Sequence, residues 1–123
     1  MIIQITGHDI EAFTEGSCYQ LALAVQEVTR WPVYAFWDRD SRDYDLHAFV
    51  KTPRGTFLDI NGEHSRYAMF CDWVDYDFED YGIRRVRKDY NLRRWDLGNP
   101  HFDSMPRARE LVPALLSEYE GRG

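Results

Sequence analysis

The stretch LHAFVKTPRGTFLDING, residues 46–62, reads as a β-hairpin. Leu46 to Lys51 and Thr56 to Ile60 are rich in the aliphatic and aromatic side chains that suit strands, and Asn61-Gly62 ends the second run. Between them, Thr52-Pro53-Arg54-Gly55 carries proline at the second turn position and glycine at the end. A Pro53-Arg54 turn followed by a bulge at Gly55 pairs residue 52 with 56 and 49 with 59. In that register His47, Phe49 and Lys51 share a face with Phe57 and Asp59, and Asp59 lies diagonal to His47. A plain four-residue loop shifts the pairing by one and sends Asp59 to the opposite face. Gly55 at the bulge position favours the first register.

Working outward, Val33 to Trp37 is again β-branched and aromatic and adds a strand, and Ile83 to Arg87 supplies a further one. Cys18, Leu21, Ala22, Val25 and Val28 recur at helical spacing, with Ser17 at the N-cap and Pro32 setting an end near Arg30. A C-terminal helix is expected from Ser104, with Pro106 in its first turn. Its apolar face is Ala108, Leu111, Val112, Leu115, Leu116 and Tyr119, and Pro113 should kink or split it. Residues 1–6 read as a short strand, 7–15 as a loop and 64–73 as a short helix. Residues 38–45 and 88–102 read as loops, and 75–80 fit no element. The fold class is therefore α+β: a small antiparallel sheet, with an N-terminal helix that bears Cys18 and a C-terminal helix packed on it. Residues 1–123 form a single domain in this reading.

Composition narrows the function. The 123 residues are 44% apolar and 15% aromatic, which supports a core and excludes a disordered chain. Lys and Arg number 15 against 21 Asp and Glu, a net charge of −6 and the wrong sign for a general nucleic-acid binder. The pairs Arg84-Arg85, Arg87-Lys88 and Arg93-Arg94 follow an acidic segment and read as surface ion-pair partners. No run approaches the roughly 20 apolar residues of a membrane span. The N-terminus has neither the basic start nor the apolar core of a signal peptide, so a cytoplasmic location is expected. Cys18 and Cys71 are too few for a disulfide scaffold and suit a reducing compartment. The spacings C-x2-C, H-x3-H and HExxH and glycine-rich phosphate loops do not occur, so neither a metal nor another cofactor is expected.

The chemistry lies in residues 16–60. Gly16-Ser17-Cys18-Tyr19-Gln20 places a thiol at a helix N-terminus, where free N–H groups favour the thiolate. Asp45-Leu46-His47-Ala48 brings an imidazole at the start of a strand, and Phe57-Leu58-Asp59-Ile60 a carboxylate on the next. A thiol becomes a nucleophile when a base takes its proton, and the base needs an acceptor on its other nitrogen to fix tautomer and orientation. A carboxylate inside an apolar strand in turn needs a partner, His47 or the N–H groups of the Asn61-Gly62 turn. Cys71 shares a helical face with Tyr67, Phe70 and Val74 and is expected to be buried and inert.

The segment GSCYQLALA…LHAFVKTPRGTFLDING resembles the papain-like cysteine superfamily in the broad sense, including transglutaminase-like and bacterial papain-fold toxin domains. The likeness is to their pattern of a G-x-C helix, an H-A strand and a G-x-x-x-D strand. It implies Cys18 as nucleophile, His47 as general base and Asp59 as the acid that orients it. The activity implied is that of a cysteine hydrolase or acyltransferase acting on an amide, isopeptide or thioester carbonyl of a protein or small acyl substrate. Papain-type enzymes place an oxyanion-hole glutamine shortly before the cysteine, whereas residues 11–15 here hold none. The hole would then fall to the Cys18 N–H with Thr14, Ser17 or Gln4. The acidic, aromatic run of residues 72–81 carries an alternative. It suits a non-catalytic interaction or inhibitor protein, of the type viruses direct against host defences, occupying a basic or aromatic groove on a host protein.

Overall fold

The computed structural model of the chain describes residues 3–15, 17–38, 45–73, 81–86 and 104–121. In chain order the elements are α1 (Gly7–Glu15), α2 (Cys18–Thr29), β1 (Val33–Asp38), β2 (Asp45–Lys51), β3 (Phe57–Asp59), β4 (Gly62–His64), α3 (Arg66–Trp73), β5 (Tyr81–Arg85) and α4 (Met105–Gly121). The strands form one antiparallel sheet in the order β4-β3-β2-β1-β5. The N-terminal helices and α4 pack on it, so the fold is α+β.

The hairpin takes the bulged register. Val50 faces Leu58 and Lys51 faces Phe57, with Thr52 and Thr56 closing the ladder through a 2.8 Å backbone bond. Gly55 has φ +79°, the left-handed conformation that glycine adopts at no steric cost. A second irregularity lies at the other end of β2. Ala35 pairs with Ala48 but Trp37 with Asp45, so Leu46 and His47 together oppose Phe36. The extra residue bends β2 beside His47.

Alternation then sorts the side chains. Val33, Ala35, Ala48, Val50 and Leu58 face α2 and α4, forming the main core with Leu21, Val25, Leu111 and Leu115. Phe36, Phe49 and Phe57 form a smaller aromatic core on the other face, covered by Met69 of α3. Their rings meet edge-on, Phe49 lying 5.4 Å from Phe36 and 4.8 Å from Phe57.

The structure corrects several local expectations. Residues 3–6 form no strand, and Gly7–Glu15 is a helix rather than a loop. The signal was Thr6-Gly7-His8-Asp9, a capping box: Thr6 Oγ1 accepts from Asp9 N–H, and Asp9 Oδ2 accepts from Thr6 N–H. Asn61-Gly62 does not end the hairpin but turns into β4, so His64 is a strand residue and α3 starts at Arg66. Ser17 sits at the α2 N-cap without a side-chain capping bond, and its hydroxyl pairs instead with Ser104 Oγ at 3.0 Å. Helix α2 ends at Arg30, whose φ of 63° and N–H bond to the Gln26 carbonyl turn the chain out, and Val28 is left 65% exposed. Helix α4 continues through Pro113, which lies on the exposed side, and is not split. The strand read at 83–87 is β5, an edge strand beside β1. The loop at 88–102 and nearly all of the loop at 38–45 and of the acidic run at 72–81 lie outside the described residues, as do the side chains of Cys71, Asp72 and Trp73.

Candidate functional site

Asp59 ends β3, and its carboxylate is almost fully used. Oδ2 accepts from His47 Nε2 at 2.9 Å. Oδ1 accepts from His64 Nε2 at 3.0 Å and from the Asn61 N–H at 2.9 Å. Both sequence readings of Asp59 therefore hold together: it contacts His47 and it fixes the turn into β4. Register explains the meeting. His47 is diagonal to Asp59 across β2 and β3, and His64 pairs with Phe57, two residues before Asp59 on the same face. His64 was missing from the expected site because residues 62–64 read as a turn and a helix start. The period-two spacing of Gly62 and His64 was the one available signal.

His47 is fully buried, Asp59 is 5% exposed, and the His64 side chain is 15% exposed. Burial pushes the Asp59 carboxyl up, but the hydrogen bonds and charges of His47 and His64 outweigh it and hold the group at about 2. Asp59 is thus ionised and can only accept, so Nε2 of each imidazole carries a proton. In neutral His47 the basic lone pair then falls on Nδ1. The ring packs against Phe49, centroids 5.8 Å apart.

Cys18 is the first residue of α2 and 2% exposed. Its Sγ accepts from the Ala48 N–H at 3.4 Å, at the residue that follows His47. Burial dominates its ionisation and pushes the thiol up to about 11. The N–H groups of Ala48, Tyr19 and Cys18 pull the other way, and the charge of Asp59 adds to the rise. The structure therefore joins His47 directly to Asp59 and holds Cys18 on the adjoining amide. The thiol belongs to the main core with Ala48, whereas His47 lies on the aromatic face.

The side chains considered for an oxyanion hole fare differently. Ser17 is bound to Ser104, Gln4 is exposed, and Thr14 Oγ1 is buried without a hydrogen-bond partner among the described residues. The N–H groups around Sγ belong to Cys18, Tyr19 and Ala48. Among the described residues no three His, Cys, Asp or Glu side chains are grouped to hold a metal ion. No helix among them is long and apolar enough to cross a membrane.

No family model, curated protein or solved structure matches the chain.

Proposed function

We propose that the chain is a thiol acyl-transfer enzyme, a hydrolase or acyltransferase of papain-like logic, with Cys18 as nucleophile, His47 as base and Asp59 as its orienting acid. One observation carries the reading: a buried His47–Asp59 pair of fixed tautomer adjoins the amide that holds Cys18 Sγ. A buried carboxylate and imidazole carry a desolvation cost that an apolar pair of similar volume would not.

Because burial keeps the resting sulfur protonated, transfer of the proton accompanies attack. Sγ attacks the carbonyl carbon of an amide, isopeptide or thioester while its proton passes to His47 Nδ1, a transfer that requires the thiol and the ring, which lie on opposite faces of β2 at rest, to come together. Asp59 stabilises the imidazolium, and the Cys18 and Ala48 N–H groups are donors for the oxyanion. His47 then protonates the leaving amine or thiolate, an acyl-thioester remains, and water or an amine resolves it with His47 taking the second proton. At 2% exposure, Cys18 meets substrate only if the residues packed around it move.

Burial of Cys18 among apolar neighbours favours a second reading, in which the thiol is a core residue of a non-catalytic interaction protein. An activated ester such as p-nitrophenyl acetate separates them. Mass spectrometry of the native protein should find a transient acetyl group on Cys18. Asp59→Asn should slow its formation by about two to four orders of magnitude, and Cys18→Ser should remove it. Acylation of Cys18 only after denaturation would leave the core reading standing.

A further inference from the structure

We propose that His64 is a second positioning residue of this site: it anchors Asp59 Oδ1, and its own protonation draws the carboxylate charge away from His47. The site's geometry supplies the coupling. One carboxylate bridges two imidazoles, at 2.9 Å through Oδ2 and 3.0 Å through Oδ1. The two rings differ in access, His47 being sealed and His64 reaching the surface at 15% exposure. A neutral His64 leaves the Asp59 charge to His47, which is then a stronger base and a better-stabilised imidazolium. A charged His64 neutralises Asp59, and His47 loses that support.

Glu63, the neighbour of His64 on β4, is committed to Arg54 at 3.1 Å and to Thr56 at 2.6 Å. Glu118 of α4 approaches Gly62, Arg66 begins α3, and Cys18 of α2 is uncharged near neutral pH. Asp59 is thus the carboxylate shared by both rings. The effect on turnover rests on the acyl-transfer reading, whereas the coupling of the two rings does not.

The test follows the His47 ring resonances by nuclear magnetic resonance across about pH 4–9, a window that spans ordinary histidine titration. In the wild type they should show an extra step as His64 protonates. His64→Gln keeps an N–H donor at the position of Nε2 but cannot ionise, so that step should vanish while the His47–Asp59 bond persists. His64→Leu removes the donor as well and should broaden or shift the His47 Nε2 proton at every pH. Unchanged His47 behaviour in both variants would overturn the proposal. The acid limb of Cys18 acylation supplies the second readout. In folded His64→Gln, where Asp59 supports His47 at every pH, it should lie at higher pH than in the wild type, because the better-supported imidazole keeps its proton longer, and an unmoved limb would overturn the catalytic consequence. Absence of Cys18 acylation in the wild type strikes the acyl-transfer reading alone, since the His47 resonances report on the coupling independently.

Discussion

At Cys18 two physical effects oppose each other, and their balance sets what the thiol can do. The helix N-terminus and the Ala48 N–H favour a thiolate, which is the logic behind expecting a reactive cysteine from position alone. Enclosure in the main core removes water from the same sulfur and wins, pushing the group up to about 11. The expected easily ionised thiol is thereby replaced by one that depends on a base in the transition state. Alkylation by iodoacetamide should report this directly. Its rate at Cys18 should keep climbing with pH through about 9, the ordinary thiol range, rather than level off near neutrality. A plateau below about pH 7, the behaviour of a stabilised thiolate, would show that His47 and the helix N-terminus outweigh burial. His47→Ala should leave the shape of this curve intact while reducing acylation, because alkylation samples the free thiolate and acylation samples proton transfer.

At the level of elements, the site stands on the hairpin register, and the register stands on Gly55. With φ at +79° the glycine absorbs the bulge that pairs Val50 with Leu58 and brings Asp59 diagonal to His47. Gly55→Ala meets no neighbouring atom within 4 Å, so its cost is the backbone strain alone, about 1 kcal/mol. A thermal melt should show that loss with the His47–Asp59 ring resonances preserved. Gly55→Val, stiffer at Cβ, should cost more and should blur those resonances if the register slips. This part of the molecule was legible beforehand because Pro53 and Gly55 are chemically unambiguous and alternation does the rest. Helix α1 was missed because Gly7 opens it and only nine residues carry its pattern, GHDIEAFTE. Its formation is set by Thr6 and Asp9 at the cap and by Arg107 from the far end of the chain, a partner no local window contains. Strand β4 is three residues long, too short for a pattern, and with it went His64. Cys18, His47 and Asp59 could be picked out by type and order, but the enclosure of Cys18 and the second histidine are products of tertiary packing.

Across the whole molecule, the two ends of the chain are tied together by charge, and this makes stability depend on pH from both sides. Arg107 of α4 grips Asp9 with two 2.8 Å bonds, Arg109 pairs with Glu27 of α2, and the Ser104 N–H reaches Gln20 Oε1 at 2.8 Å. Asp9 is held well below the usual carboxylate range, chiefly by the Arg107 hydrogen bonds. Asp59 is held at about 2 against an ordinary 3.8. Both carboxylates are ionised in the fold at pH values where the unfolded chain has begun to take up protons. Their contributions are therefore complete above about pH 5, begin to fall as pH drops through the unfolded value, and are lost below the folded ones. Cys18 acts with the opposite sign. Its thiol stays protonated in the fold up to about 11, whereas in the unfolded chain it ionises from an ordinary 9.0. Stability should then decline as pH rises between those values, by about 2 kcal/mol for a shift of this size. Denaturant unfolding of the wild type and Cys18→Ala at about pH 7, 9 and 10.5, below and across the thiol range, isolates that share from the tyrosines and lysines that titrate nearby. The variant should be weaker at pH 7, where a buried side chain has been truncated, and should lose less on going to pH 10.5. Parallel losses in the two proteins would mean that the sulfur reaches water in the native state, and that the enclosure assigned to Cys18 is wrong.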